Sequence, residues 1–309
     1  MKVYFSLDEF SEAKNPVVTT GTFDGVHIGH QTIIKRLKEL AKKEDGETVL
    51  ITFFPHPRMV LYPLDDSIKL INTQEEKVEL LKKYGIDHLI IIPFTKEFSR
   101  LSSIEFVRNI LVNKIGTKKL VIGYNHHFGR NREGSFEHLK EFGPVYGFEV
   151  EEIPAQDIDD VNVSSTKIRT ALLEGDIKNA NSYLGHPYEL RGEIVPGNKI
   201  GRQIGFPTAN IRIPEQYKLI PSNGVYVVDV ILNSNRHRGM LNIGTNPTLN
   251  NNNKEQTIEV HIFDFTDDIY GQKIIIEFKD RIRDEVKFDN LDQLKFQLED
   301  DKKTALKLK

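Results

Sequence analysis

The order of apolar and polar segments changes in kind near residue 184, and this change limits the possible folds more than any other feature. Before it, short apolar runs such as TVLITFF and HLIIIPF alternate with segments of helical periodicity. This alternation predicts βα units that build a doubly wound parallel sheet, a Rossmann-like α/β domain. We assign residues 1–184 to this domain and expect helices over about 30–43, over about 73–84 and from about residue 103 onward.

After residue 184, strand-like segments follow one another with only turn residues between them. Successive strands without intervening helices are typical of an antiparallel barrel or sandwich. The amphipathic segment NLDQLKFQLED predicts a helix that closes this part of the chain. We assign residues 185–309 to a second, mainly β domain. The polar segment NSNRHRG, residues 233–239, is expected to be a loop.

Composition argues against several classes of protein. The 309 residues carry a formal net charge of -3, which gives no overall basic field for nucleic acid or for an anionic membrane surface. No apolar run approaches the roughly 20 residues that a membrane helix needs. The absence of cysteine excludes disulfides, thiolate nucleophiles and cysteine-ligated zinc. We expect a cytoplasmic protein that binds neither nucleic acid nor membrane, and the sequence identifies no protein partner.

The segment TTGTFDGVHIGHQTI, residues 19–33, joins the first predicted strand to the first predicted helix. Glycines here permit a tight turn and a close approach of a ligand, and a helix N-terminus attracts phosphate. Imidazoles can hydrogen-bond phosphate oxygens and stabilise charge that develops on phosphorus. Two alternatives stay open, ordinary loop and cap histidines or a histidine metal site. We favour phosphate chemistry, and the candidate residues are Gly21, Thr22, Phe23, Asp24, His27, Gly29 and His30.

Two further segments of the first domain suit a polyphosphate ligand. In VSSTKIR, the hydroxyls of Ser164, Ser165 and Thr166 precede a helix that contains Arg169, so hydroxyls, N–H groups and a guanidinium could converge. A plain helix cap with a surface arginine is the alternative. The segment GYNHHFGRNREG follows a predicted strand, although any loop at a sheet end could have a similar composition. P-loop and dinucleotide fingerprints are absent from the sequence.

The second domain contains its own candidate phosphate site in GNKIGRQIGFPTAN. Gly197, Gly201 and Gly205 make a pliable strip whose N–H groups could wrap phosphate, and Thr208 and Asn210 offer oxygen ligands of the kind that Mg²⁺ accepts. In the strand TIEVHIFDF, alternation places Glu259 on the face opposite the apolar residues, where a carboxylate could accept a proton. A simple barrel turn and a solvent-facing glutamate are the alternatives.

These motifs together resemble a known family. GTFDGVHIGH, FFPHPR, LSSIEFV, GYNHHFG and SSTKIR, followed by GNKIGRQIGFPTAN, NIGTNPT and TIEVHIFDF, are similar in sequence and order to the bacterial bifunctional riboflavin kinases/FMN adenylyltransferases. HIGH occurs in other nucleotidyltransferases, so the specificity comes from HIGH and PTAN in this order and separation. The resemblance implies a nucleotidyltransferase domain over 1–184 and a riboflavin kinase β-barrel over 185–309.

The resemblance also implies two ATP-dependent reactions, riboflavin to FMN and FMN to FAD with pyrophosphate release. In the first, Thr208 and Asn210 would hold Mg²⁺ and phosphate while Glu259 acts as base. In the second, His27 and His30 would stabilise the α-phosphoryl transition state, and Arg169 with its preceding hydroxyls would hold the pyrophosphate. Asn125 stands where many relatives carry aspartate, which changes the charge at a predicted ATP contact. The flavin-binding candidates implied by the resemblance are Phe54, Pro57, Phe128, Arg283 and Phe288.

Three other interpretations remain at this stage. A nucleotidyltransferase for another substrate would keep HIGH but would leave residues 186–309 unexplained. A non-enzymatic flavin-binding protein would be expected to lose motif residues, which are all present here. An enzyme with only one of the two activities is harder to exclude, because a sequence shows which groups are present and not how fast they react.

Overall fold

The computed structural model describes residues 1–65, 68–124, 126–154, 163–197, 200–246 and 255–308, and the structural statements below concern these residues. The chain divides into two compact units, Met1–Ser165 and Thr166–Lys309.

A six-stranded sheet forms the first unit. Its strands are β1 (Lys2–Tyr4), β2 (Val17–Thr20), β3 (Thr48–Phe54), β4 (His88–Pro93), β5 (Lys119–Gly123) and β6 (Glu149–Ile153). The spatial order is β1-β4-β3-β2-β5-β6, and every neighbouring pair is parallel. The chain therefore winds outward from β2 in one direction through β3 and β4, and in the other through β5 and β6. In sheets of this kind, ligands bind at the carboxyl ends of the strands where the winding reverses, here between β2 and β5.

Helices cover this sheet as the sequence pattern predicts. They are α1 (Ile28–Lys43), α2 (Pro57–Leu61), α3 (Gln74–Lys83), α4 (Ser103–Glu105) with a π-helix (Phe106–Ile115) directly after it, and α5 (Phe136–Tyr146). Alternate residues of β3 and β4 belong to two separate apolar clusters, so the sheet is buried on both faces. The helix predicted from residue 103 is present and is capped by Ser102 and Glu105, but its π-helical winding was not evident in the sequence.

The second unit is a closed barrel, which confirms the mainly β prediction and decides between barrel and sandwich. Its strands are β7 (Glu189–Val195), β8 (Ala209–Arg212), β9 (Gly224–Leu232), β10 (Asn235–Asn246), β11 (Glu255–Ile262) and β12 (Lys273–Arg283). They close in the order β10-β11-β8-β7-β12-β9, with antiparallel neighbours throughout. The remaining helices are α6 (Ser165–Glu174), α7 (Ile177–Leu184), α8 (Ile200–Gln203) and the terminal α9 (Leu291–Lys307).

Helices α6 and α7 group with the barrel in the division into compact units. The Asn181 amide of α7 donates to the Phe278 carbonyl of β12 at 2.9 Å. The division into compact units thus falls before these helices, whereas the sequence pattern placed them at the end of the first domain. The functional boundary between residues 184 and 185 stays a prediction.

The prediction of a loop over residues 233–239 is wrong for most of that segment. Asn233 and Ser234 alone form the turn, with φ of 47° and 68°, and β10 begins at Asn235. Two left-handed residues in sequence are the geometry that joins antiparallel strands tightly. These polar residues are compatible with a strand because Arg236 and Arg238 pair with Asp229 of the neighbouring strand β9, at 3.0 Å in each case.

Among the described residues, no helix combines the length and the apolar character required to cross a lipid bilayer.

A buried ion pair joins the terminal helix to the barrel and provides a test of the packing. The Arg283 guanidinium donates to both carboxylate oxygens of Asp301, at 2.9 and 2.7 Å, and the Asp301 side chain is only 1% exposed. We expect Asp301→Ala to lower the local unfolding free energy by about 3 kcal/mol, at the low end of the range for a buried pair, because it leaves a guanidinium that is 19% exposed without its carboxylate. Amide hydrogen exchange of β12 and α9 measures this loss.

The matched control is Glu193→Ala, which breaks the exposed pair between Glu193 and Arg212 on the same barrel. This change should cost less than about 1 kcal/mol, because exposed pairs are well screened by solvent. Equal losses in the two variants would contradict a structural role for the buried pair.

Candidate active sites

The loop between β2 and α1 turns sharply at the winding reversal of the sheet. Gly25 has a φ of 89°, and Phe23 and Val26 have φ of 48° and 40°, in the left-handed region that residues with side chains seldom occupy. Such backbone persists only where the surroundings hold it in place. The loop therefore needs anchoring contacts, and several buried side chains provide them.

Asp24 is the first anchor. Its side chain is buried, and its carboxylate Oδ1 accepts hydrogen bonds from the N–H groups of Ile71 and Asn72, at 3.0 and 3.2 Å. Its main-chain carbonyl accepts a bond of 2.9 Å from the Ser165 hydroxyl. These contacts engage the carboxylate with the protein main chain. A direct contact of Asp24 with ATP stays a prediction.

His27 and His30 lie together at the start of α1. Their rings stack with centroids 3.7 Å apart and planes 19° apart, and the Phe23 ring lies 4.8 Å from that of His30. Burial, followed by the neighbouring His27 and Lys77, lowers the pKa of His30 well below its ordinary value. His30 is thus neutral near pH 7 and offers one N–H donor and one acceptor nitrogen.

Lys77 belongs to this site and was not identified from the sequence. The residue is 4% exposed, and its ammonium donates to the Thr22 carbonyl at 2.8 Å. Burial lowers the pKa of Lys77 to about 8, against the opposing charge of Asp24. A signal was present, because Lys77 precedes Leu80 and Leu81 by three and four residues and so lies on the apolar face of α3.

The predicted glycines have distinct surroundings. The Gly21 N–H donates to the Ile51 carbonyl of β3 at 3.0 Å, and a Cβ there would lie 3.1 Å from the Phe23 ring. Gly29 is buried in the first turn of α1. The first N–H groups of an α-helix have no acceptor within the helix, so this turn can donate to an anion.

The second predicted phosphate segment lies at the start of α6, which begins at Ser165. Because a hydroxyl has one hydrogen to donate, the bond from Ser165 to the Asp24 carbonyl leaves only its lone pairs for another partner. Ser164 precedes the helix, Thr166 is exposed, and Arg169 is half-buried four residues after Ser165.

The third predicted segment follows β5, on the other side of the winding reversal from His27. Asn125 lies outside the described residues. Phe128 is 7% exposed and packs against Phe106 in the apolar core, with ring centroids 5.7 Å apart. Burial, then His127 and Arg132, lowers the pKa of His126 to about 4. The packing of Phe128 is evident, whereas its contact with flavin stays a prediction.

Two other flavin candidates lie at the carboxyl end of β3, the strand beside β2. Phe54 ends this strand and Pro57 begins α2, and both are half-buried. His56 caps α2 by accepting a hydrogen bond from the Arg58 N–H at 3.2 Å. Because β3 pairs in parallel with β2, the segment that follows β3 lies at the same edge of the sheet as the histidine loop.

The barrel brings Thr208, Asn210 and Glu259 together. Glu259 of β11 pairs directly with Asn210 of β8, and the Thr208 hydroxyl donates to the Glu259 carboxylate at 3.0 Å. All three are half-buried. A Cβ on Gly197 would overlap the Asn210 amide, so the strip before α8 passes directly against this cluster.

The donor chemistry of this cluster fits a magnesium ion bound together with phosphate. A hydroxyl, an amide oxygen and one carboxylate are hard oxygen donors, and Mg²⁺ in enzymes takes a few such ligands while phosphate and water supply the others. Over the parts of the chain that the structure describes, no cluster of three or more His, Cys, Asp or Glu residues forms a metal cage. The two other predicted glycines shape the same strip, Gly201 against the Phe206 carbonyl and Gly205 with a φ of 84°.

The last two flavin candidates, Arg283 and Phe288, lie against each other near the end of β12. The guanidinium carbon of Arg283 is 5.9 Å from the centre of the Phe288 ring. The same guanidinium is engaged with Asp301, so its edge is held in a fixed direction. A flavin contact by this pair stays a prediction.

Two protein-family models match consecutive parts of the chain, the first over the histidine loop and the second over the barrel cluster. The FAD synthetase family model matches residues 9–167, and the riboflavin kinase family model matches residues 184–309.

Curated relatives match over nearly the whole chain. The bifunctional riboflavin kinase/FMN adenylyltransferase of Listeria monocytogenes is 40% identical, over 96% of this chain and 93% of its own. The protein of the same description from Escherichia coli K12 is 35% identical, over 99% and 97% of the two chains. Among solved structures, the macrolide-efflux protein of Streptococcus pneumoniae is 34% identical with a TM-score of 0.90, over 98% of both chains.

The lowered pKa of His30 gives a test of the histidine site. We expect the His30 ring to stay neutral in NMR titration at pH 6.5, where a free imidazole is about half protonated. Because the folded pKa is depressed, the unfolded chain binds the extra proton, and this group makes the fold less stable as the pH falls below 6.5. The control is the same chain in concentrated urea. A folded midpoint at or above that of the urea sample would contradict the described burial.

Proposed function

Because the chain belongs to the bifunctional riboflavin kinase/FMN adenylyltransferase family, we propose that two separate sets of its residues carry the two reactions. The enzyme phosphorylates riboflavin to FMN and adenylylates FMN to FAD, with ATP as co-substrate in both steps. We assign adenylylation to the histidine loop and phosphorylation to the barrel cluster. The observation that carries this assignment is the convergence of Thr208 and Asn210 on Glu259, in a unit that does not contain the histidines.

In adenylylation, a phosphate oxygen of FMN attacks the α-phosphorus of ATP. A new P–O bond forms, the bond to the bridging oxygen breaks, and pyrophosphate leaves with the electron pair. A phosphate monoester is already nucleophilic, so the main task of the protein is to stabilise charge on the α-phosphoryl oxygens. We assign this task to His27 and to His30, whose neutral ring donates one N–H, together with the first turn of α1.

The departing pyrophosphate would be held by Ser164, Ser165, Thr166 and Arg169. The Arg169 guanidinium offers paired donors that match phosphate geometry. Since the Ser165 hydroxyl donates to Asp24, we assign the contribution of Ser165 to its main-chain N–H at the start of α6. Asn125 would contact ATP as an uncharged oxygen donor.

In phosphorylation, the 5′-hydroxyl of riboflavin attacks the γ-phosphorus of a separate ATP molecule, bound at the barrel site. The hydroxyl proton passes to Glu259, the bond to the bridging oxygen breaks, and ADP leaves. Thr208 and Asn210 would hold Mg²⁺, which neutralises charge on the phosphates when bound. The hydrogen bond from Thr208 orients the Glu259 carboxylate within this cluster, and Gly197, Gly201 and Gly205 allow the main chain to approach the phosphates closely.

We further propose that flavin contacts come from Phe54, Pro57 and Phe128 in the first domain and from Arg283 and Phe288 in the second. Residues 1–184 and 185–309 are the proposed functional domains. We also propose that the enzyme acts in the cytoplasm. Its proposed partners are its flavin and nucleotide substrates, and it is proposed to bind neither nucleic acid nor membrane.

Paired variants test the assignment of the two sites. With riboflavin, ATP and Mg²⁺ supplied, His27→Ala should accumulate FMN and make no FAD, because only the adenylylation site has lost a donor. Glu259→Gln should make no FMN from riboflavin, yet should convert supplied FMN to FAD at the wild-type rate. Loss of one oriented donor or base costs about 100-fold or more in rate. Product chromatography measures both flavins in one run.

The control for Glu259 is Thr257→Ala, two residues earlier on the same strand and the same barrel face. It should leave both activities within about twofold, since Thr257 lies outside the proposed cluster and its hydroxyl makes only a long bond of 3.4 Å, to the Gly244 carbonyl. Equal loss of both activities in His27→Ala, or in Glu259→Gln, would contradict separate sites. Wild-type FAD formation by His27→Ala would remove the histidine from the mechanism.

A further inference from the structure

Lys77 is a buried cation whose hydrogen-bond partner is a carbonyl and not a carboxylate. The ammonium donates to Thr22 at 2.8 Å, with 4% of the residue exposed. Removing an ammonium from water is costly unless the protein replaces its solvation. A residue retained at such a position has to be explained by what it holds or by the charge it supplies.

The bond to Thr22 acts on the strained part of the histidine loop. The Thr22 carbonyl also accepts a bond of 3.1 Å from the Thr52 hydroxyl of β3, and Phe23 directly after it has the left-handed φ of 48°. Two donors from different elements thus fix the peptide at which the loop turns. The ring of Phe23 in turn packs against His30.

The charge of Lys77 acts on the same site. It is among the causes that lower the pKa of His30, so the ammonium lies within electrostatic reach of this ring. The negative charge of Asp24 in the loop acts in the opposite direction to burial and raises the pKa of Lys77, which favours the protonated ammonium. The other buried titratable groups of the loop and of α3 are His27, stacked on His30, and Glu76, which caps α3 at Thr73. The remaining charged residues of α3 are exposed to solvent, namely Glu75, Glu79, Lys82 and Lys83.

We propose that Lys77 is a positioning residue for adenylylation, which holds the histidine loop through the Thr22 carbonyl and keeps a positive charge within electrostatic reach of His30. This inference rests on the proposed role of the histidine pair. Lys77 need not touch ATP for this role. Its ammonium would keep His30 neutral before ATP binds and would favour the negative charge of the incoming phosphates.

The protonation of Lys77 makes the proposal testable by pH. Burial places its pKa at about 8, so the charge is present below this pH and is lost above it. An arginine at the same position stays protonated throughout the accessible range. A methionine has similar length and carries no charge at any pH. These three side chains separate charge from packing.

The experiment measures kcat/KM for ATP in FAD formation from supplied FMN, between about pH 6 and about pH 10, since this ratio reports ionisation in the free enzyme. The wild-type value should fall above about pH 8. Lys77→Arg should remove this alkaline decline. Lys77→Met should be at least about tenfold slower at neutral pH, a change of about 1.4 kcal/mol in the barrier, and should also lack the decline.

The matched control is Lys83→Met, an exposed lysine on the same helix, which should retain the wild-type profile. Riboflavin phosphorylation in the same samples reports whether the barrel is intact. In Lys77→Met, NMR titration should also show a higher pKa for His30, because a nearby cation has been removed.

The proposal is overturned if Lys77→Arg keeps the wild-type alkaline decline, or if Lys77→Met matches Lys83→Met in rate. If Lys77→Met loses both activities, the Lys77→Arg variant distinguishes a role in packing from the proposed role of the charge. An arginine variant that has also lost phosphorylation shows that the lysine serves packing of the chain and overturns the proposal. Full FAD formation by His27→Ala would instead refute the histidine site itself, so the two failures are distinguishable.

Discussion

The buried carboxylate of Asp24 is the contact on which the first site depends. It accepts hydrogen bonds from two successive N–H groups just before α3, and its own carbonyl accepts one from the first residue of α6. Charge-assisted bonds of this kind are roughly twice as strong as bonds between neutral groups. They hold a loop with unfavourable main-chain angles against α3, the helix that carries Lys77. The stacked histidines at the end of this loop owe their position to these contacts.

Strand register has the corresponding role in the barrel. Because Glu259 lies opposite Asn210 in the pairing of β11 with β8, the carboxylate, the amide and the Thr208 hydroxyl meet on one side of the sheet. A slip of one residue would turn Glu259 to the other side. The closed barrel fixes this register through two neighbours of β8, namely β7 and β11. In both sites, polar side chains thus project from main chain whose position is fixed by contacts with residues that are distant in the sequence.

Much of this organisation could be predicted from the sequence, and the exceptions have physical causes. Strands such as β3 and β4 are apolar at nearly every position because both faces of the sheet are buried, and this pattern is visible locally. The spacing of Lys77 from Leu80 and Leu81 indicates that it lies on the apolar face of α3, but its partner could not be predicted, because a carbonyl more than fifty residues away leaves no mark on residue type. The start of β10 was missed because its arginines are satisfied by Asp229 on the neighbouring strand. Asp24 was identified as a site residue, but its bonds to the main chain became evident only from the fold.

The most direct test of two independent sites in one chain is complementation between two inactive variants. His27→Ala and Glu259→Gln are mixed with riboflavin, ATP and Mg²⁺, and FAD is measured over time. We expect that neither variant alone makes FAD from riboflavin, whereas the mixture does so after a lag in which FMN accumulates and diffuses from one protein to the other. A mixture as inactive as its components, or FAD from either variant alone, would contradict this expectation.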